Sequence, residues 1–510
     1  MKEERPARSN KVKTGVAGLD EVLRGGLPAR RLYLIEGLPG SGKTTLALQF
    51  LLAGISAGEK SIYISLSETR DEIEEVAHSH GWSLEQLEIV ELSALDEKIA
   101  AEAQSTLFHP SDVELTETTR FLLESVERLN PNRVALDSLS ELRLLSQTAL
   151  RYRRQIVSLK QFFAGRHCTT LLLDDASNKG ADSHVQSLAH GVISLEQAAP
   201  EYGAERRRLL VRKVRGAMYR GGFHDFVIQT GGIEVFPRLI AAEHHQKFRE
   251  ENVESGIQGL DMLLGGGLAR GTSNLFSGPP GTGKSTLALK YSIAAAKRGE
   301  KVLCFTFDES LNVLYDRARS LNLGLEALVE KGMITTMKVD PAELSPGELA
   351  CRVQRAVEED NVRLVYLDSL NGYIHAMGDQ RYLNLQLHEL LTYLNQQGVV
   401  TILVLSPEGF LGQMKSPIDL TYLADTVLAL RFFEAKGAIH KAISVVKKRT
   451  GNHEKTIREL TISADGVKVG PPLENFRGVL TGVPIEAETY GHGKRAIRAK
   501  PGKNVTRRKR

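Results

Sequence analysis

The phrase GLPGSGKTT at residues 37–45 returns as GPPGTGKST at residues 278–286, 241 positions later. Both copies satisfy the pattern G-x-x-x-x-G-K-S/T. Each is preceded by a short apolar run and followed by a helix-like stretch, so each reads as a strand, a glycine-rich loop and a helix in succession. Few local patterns restrict a chain more. Glycines let the backbone wrap an anion, the loop amides turn inward, and the following helix adds the partial positive charge of its N-terminus. An accidental glycine-rich turn is the bland alternative, and two copies in the same context argue against it.

The repeat extends well beyond the loops. TGVAGLDEVLRGGLPAR from Thr14 lies over SGIQGLDMLLGGGLARG from Ser255, RVALDSL from Arg133 answers RLVYLDSL from Arg363, and LVRKVRG from Leu210 answers VVKKRTG from Val445. A 510-residue chain is too long for one ordinary core, and duplication divides it in two. The expected plan is a first domain over residues 10–238, a charged linker over 239–252, a second domain over 253–485 and a basic tail over 486–510.

Within the first half, strands are expected over residues 32–36, 61–66, 134–137 and 169–174. Helices are expected near 43–57, 71–80, 117–129 and 149–164. Strands that alternate with long helices predict an α/β fold with a mostly parallel sheet covered on both faces, and the near-continuous Val/Ile/Leu runs suit doubly buried strands. Beyond Gly191 the stretches VISLEQ, RRLLVRKVR and FHDFVIQ predict an antiparallel extension. The second half repeats this plan.

Residues 1–10 are charged throughout and no apolar run is long enough to span a membrane, which predicts a chain with neither secretory leader nor anchor. Cys168, Cys304 and Cys351 are far apart in apolar or helical-looking surroundings, as expected of buried thiols in a reducing cytoplasm. The net charge of +4 conceals a tail, residues 494–510, with nine Lys or Arg and no acid; the body is mildly acidic. Such a tail either solvates the end of the chain or touches nucleic acid, acidic lipid or an acidic partner.

The two loops predict sites for ATP with Mg²⁺. Gly37, Gly40, Ser41, Gly42, Lys43, Thr44 and Thr45 form the first cradle, and Gly278, Gly281, Thr282, Gly283, Lys284, Ser285 and Thr286 the second. Lys43 and Lys284 are expected at the β- and γ-phosphates, and the Thr44 and Ser285 hydroxyls at the metal. Asp137 and Asp368 each end an apolar strand and suit the acid that orders the metal's waters. A capping role is the alternative. For the carboxylate that polarises the attacking water, candidates are Glu68 in the first half and Asp308 and Glu309 in the second, with a helix cap as the bland reading. The pairs Lys213/Arg215 and Lys447/Arg449 recur at matching positions of late strands. Either they solvate strand faces or they are cations that reach a γ-phosphate, including that of a neighbouring subunit.

Taken together, the TG…GLD…GG lead-in, the loop, the LDS strand and the K-x-R pair make residues 10–485 resemble the KaiC-type branch of the RecA/RadA ATPase superfamily. The resemblance implies two tandem RecA-like P-loop domains in a double-ring homohexamer. It also implies ATP between adjacent protomers, K-x-R cations acting in trans and a regulatory protein partner whose identity the sequence does not give. Two departures stand out. In the family paired acids follow the second strand; here the second domain keeps Asp308–Glu309, while the first has Ser67 beside Glu68. Where the family's second domain phosphorylates an adjacent Ser-Thr pair, this chain has Thr421 and Tyr422, so Thr421 is the one candidate phosphoacceptor at that place. A signalling or regulatory ATPase with serine/threonine autokinase activity is the leading expectation. A RadA- or helicase-like DNA-dependent ATPase and a nucleotide-stabilised scaffold with weak turnover stay open. An acidic body without a zinc module or an aromatic-basic stripe weighs against nucleic acid.

Overall fold

The computed structural model describes residues 11–91, 110–175, 183–199, 203–340, 342–376, 380–407, 421–479 and 485–486. Of the basic tail expected over residues 486–510, all but Glu486 lies outside them.

In the first half, nine strands form one sheet: β1 (Leu32–Gly37), β2 (Ser61–Ser65), β3 (Glu88–Glu91), β4 (Arg133–Asp137), β5 (Thr169–Asp175), β6 (Gly191–Ala198), β7 (Arg206–Val214), β8 (Phe223–Gln229) and β9 (Gly232–Phe236). Their spatial order is β9-β8-β7-β6-β1-β5-β4-β2-β3. The second half gives β10 (Ser273–Ser277), β11 (Lys301–Thr306), β12 (Ile334–Lys338), β13 (Val362–Asp368), β14 (Val400–Leu405), β15 (Thr426–Ala435), β16 (Ala438–Lys448), β17 (Arg458–Ser463) and β18 (Gly466–Pro472). Traced from β18 towards β12, this sheet has the same order as the first. The chain is therefore two copies of one mostly parallel α/β domain with an antiparallel extension.

Side-chain alternation explains why each sheet is covered on both faces. Along β1, Tyr33 and Ile35 enter one apolar cluster, while Leu32 and Leu34 enter the other. Along β14, Ile402 and Val404 face one cluster and Leu403 and Leu405 its opposite. One boundary differs from expectation. VISLEQ sits in β6, which pairs parallel with β1 and antiparallel with β7, so the antiparallel extension begins one strand later than its turn-rich sequence suggests. The helix expected over 117–129 also starts earlier, as Pro110–Leu129, with proline at its first position. Of the three free thiols, Cys168 and Cys304 are buried and Cys351 is half-buried.

The helix that leaves each loop, α1 (Lys43–Ser56) and α3 (Lys284–Lys297), is apolar nearly all round, as a helix packed under a sheet requires. The next helix in each half is α2 (Arg70–Ser79) or α4 (Leu311–Ser320). Thr69 caps the first of these with a complete capping box, and Ser310 caps the second through Val313 N. Between the halves, Asp225 of β8 accepts from Gly347 N at 2.8 Å, in the first turn of α5 (Pro346–Glu358). Arg355 of α5 pairs with Glu234 of β9 at 2.9 Å. Leu239 and Ala241 of the joining segment enter an apolar cluster of the second domain.

Two candidate nucleotide sites

Each loop leaves the C-terminal edge of the central strand, where a parallel sheet collects its sites. The glycines are there for conformation and space. Gly42 and Gly283 cap their helices with φ of 97° and 102°, a region that side chains avoid. A Cβ on Gly37 would stand 2.4 Å from Ser41 Oγ and 2.8 Å from Leu195 O. Ser41 Oγ is buried and has no hydrogen-bond partner among the described residues, so the first cradle contains a polar atom awaiting one. In the second, a cavity of about 390 Å³ is walled by Lys284, Ser285, Thr286, Glu309, Arg317 and Asp368.

Both loop lysines fold back onto their own loops. Lys43 Nζ donates to Gly37 O at 2.9 Å and Leu38 O at 3.1 Å, and it pairs with Asp175 at 2.8 Å. Lys284 Nζ donates to Gly278 O at 2.7 Å and Pro279 O at 2.9 Å. Ser406 is the next residue after β14, as Asp175 closes β5, so the second lysine lacks the first one's acid. Burial lowers its pKa to about 8, opposed by Asp368. A bound polyphosphate favours the ammonium form, so a proton is taken up on binding above that pH. In a Lys43→Ala variant, ATP affinity at the second site is expected to fall as pH rises from 7 to 9, approaching tenfold per unit above about 8. Calorimetry in buffers of different ionisation enthalpy checks this, and equal affinity with no proton uptake would refute it.

The predicted metal acids lie where hard oxygen ligands belong. Thr44 Oγ1 donates to Asp137 Oδ2 at 3.0 Å, which brings together a hydroxyl and a carboxylate beside the loop, a pair suited to Mg²⁺ that keeps most of its waters. Ser285 and Asp368 wall the second cavity together. Among the described residues no group of three or more His, Cys, Asp or Glu could hold a metal alone. When bound, the ion supplies positive charge to the phosphate oxygens. Burial pushes the Asp137 carboxyl up, and hydrogen bonds from Tyr63 and Thr44 pull it back.

Tyr63 is one residue that sequence reasoning missed. Its hydroxyl donates to Asp137 at 2.6 Å, and in the second half Tyr366 donates to Asp368. These tyrosines are not equivalent in the repeat. Tyr63 of β2 faces Ala135 of β4, whereas Cys304 of β11 faces Tyr366 of β13. Large and small have changed places across one strand pair, with the small member larger by one sulfur in the second domain, and the hydroxyl reaches the same acid from either strand. Comparing facing positions of the two repeats would have revealed this signal; scanning either half alone would not.

The candidate bases also converge on the loops, in different states. Glu68 is half-buried near Lys43 and Asp137, and its Oε2 has no hydrogen-bond partner among the described residues. Burial raises its pKa, and the charges of Asp137 and Glu72 add to this. Glu309 receives Arg317 Nη1 on Oε1 at 2.9 Å, while Nη2 lies 2.9 Å from Oε2. Burial raises the Glu309 pKa and Arg317 opposes the rise. Asp308 accepts from the Ser369 hydroxyl.

The K-x-R pairs are not brought to their own loops. Lys447 Nζ donates to the carbonyls of Thr421 and Ala424, both at 2.7 Å, and Arg449 reaches Tyr422 O at 2.9 Å and Asp425 at 3.3 Å. Those acceptors precede β15, at the end of the sheet where β10 begins; the loop leaves from the end where β10 finishes. The first half agrees. Lys213 and Arg215 donate to the carbonyls of Gln186 and Ser187, ahead of β6.

A sequence profile described as "ATPase: KaiC" matches residues 12–240 and 253–474, one match for each sheet. The chain belongs to the KaiC ATPase family. It is 27% identical over 482 residues to the circadian clock oscillator protein KaiC of a Picosynechococcus strain, covering 93% of this chain and 92% of the relative. The protein of that name from Thermostichus vulcanus is 27% identical over 490 residues, with 94% and 93% covered. KaiC 1 of a Synechocystis strain is 27% identical over 482 residues, with 93% and 92% covered. The KaiC-family assignment thus spans both nucleotide loops, and no helix among the described residues is long and apolar enough to cross a membrane.

Proposed function

We propose that this chain binds Mg²⁺-ATP at both loops of a homohexameric double ring, hydrolyses ATP, and acts as a signalling or regulatory protein whose shape follows its nucleotide state. The distance of each K-x-R pair from its own loop is the observation that carries this reading. Cations so far from the phosphates of their own chain become useful when a second copy presents its loop to them. Glu68 or Glu309 takes the proton of a water whose oxygen bonds to the γ-phosphorus, and ADP leaves with the electron pair of the broken bond.

Autokinase activity of the second domain is the finer part of the proposal. Thr421 lies beside Lys447 and Arg449, on the edge that would face a neighbour's ATP. One preparation tests both parts. With ATP and Mg²⁺, the mass is expected to rise to about six times the 56.2 kDa of one chain. A monomer with and without nucleotide would exclude the shared site. Incubation with γ-labelled ATP is expected to label the protein and not its Thr421→Ala variant; undiminished labelling of the variant would exclude Thr421.

A further inference from the structure

We infer that Arg317 restrains Glu309 and thereby sets the second site to hold ATP and the first to hydrolyse it. The inference rests on the reading of Glu309 and Glu68 as the carboxylates that take the water's proton. Helices α2 and α4 begin at matching places, each just after its candidate base, with Thr69 and Ser310 as equivalent caps. Arg317, in the second turn of α4, donates from Nη1 to Glu309 Oε1 and brings Nη2 within 2.9 Å of Oε2, and both side chains are largely covered, with exposures of 24% and 20%. The equivalent position of α2 is Val76, which packs against the apolar cluster beneath the first loop. No cation therefore comes from that position of α2. Glu68 Oε2 and Glu309 Oε2 are both buried without a hydrogen-bond partner among the described residues, so what sets the second site apart is the guanidinium on Glu309, hydrogen-bonded at Oε1 and ion-paired at Oε2.

The chemical consequence follows from what a base must do. Its lone pair has to meet the water's proton while the water's oxygen bonds to phosphorus and the bond to the departing ADP breaks. A carboxylate that accepts a guanidinium N–H at one oxygen and has a second guanidinium nitrogen 2.9 Å from the other is stabilised in its charged form and is a weaker base for it. Asp308 is engaged as well, by Ser369, so both acids of the second domain's pair are occupied. The sequence alone suggests the reverse ranking, because the second domain retains both acids of the family's pair.

The test uses the full chain with the first site silenced by Lys43→Ala. Arg317→Ala is expected to raise second-site turnover about tenfold with ATP retention unchanged, and Arg317→Lys to give an intermediate rise. The acid limb of the rate profile is expected to move to higher pH. Of the charged groups acting on Glu309, Arg317 and Lys338 hold its pKa down and Asp368 raises it, so losing Arg317 moves the carboxyl up. A merely structural role would change the rate without moving that limb. Val76→Arg, with the second site silenced by Lys284→Ala, is expected to slow the first site. An unchanged or lower rate in Arg317→Ala, or loss of its ATP retention, would overturn the restraint. Adding Glu309→Gln separates the two ideas: if the gain from Arg317→Ala survives it, the assignment of Glu309 as base fails instead.

Discussion

Lys43→Ala and Lys284→Ala are each expected to lower ATP affinity at one site by about 10²–10³ and to leave the other site loaded. Each lysine is the buried cation of its cradle, anchored on two loop carbonyls, and no other described cation is anchored on those carbonyls in this way. Alanine leaves the loop amides in place but removes the charge that faces the terminal phosphates. The aliphatic stem leaves with it, so some local packing goes too. Nucleotide extracted from each purified variant should amount to one equivalent per chain, against two for the parent, and the double variant should carry none. Two equivalents in either single variant would mean that the cradle does not depend on its lysine.

The second large effect belongs to Glu68. With the second site emptied by Lys284→Ala, Glu68→Gln is expected to lower ATP turnover by about 10²–10⁴ while ATP stays bound. Glutamine keeps the shape and one acceptor oxygen but cannot take a proton at neutral pH. Burial and the neighbouring Asp137 raise the Glu68 pKa, so the active carboxylate forms at higher pH than an ordinary glutamate's does. The rate should therefore rise with pH through that raised value, and the rise should vanish in the glutamine variant. Steady turnover by Glu68→Gln at the parent rate would remove Glu68 from the reaction.

Much of this protein is legible before any coordinates. Two nine-residue loops and their shared lead-ins determine that there are two domains of one kind, because a glycine at a left-handed position and a lysine at the helix start leave few backbone paths. The strand ends at Asp137 and Asp368 follow from apolar runs that stop at an acid, and both acids reach their loops. What sequence order could not supply was which side chains meet across strands and helices. The exchange of Tyr63/Ala135 for Cys304/Tyr366 is invisible along the chain, since the partners belong to neighbouring strands. The hold of Arg317 on Glu309, the pairing of Lys43 with Asp175, and the remoteness of Lys447 and Arg449 from their own loop are likewise products of packing. Sequence determined the chemistry available to each site through residue type and spacing; tertiary structure decided which groups are engaged and which stand free, because that depends on distances set by every other contact in the fold.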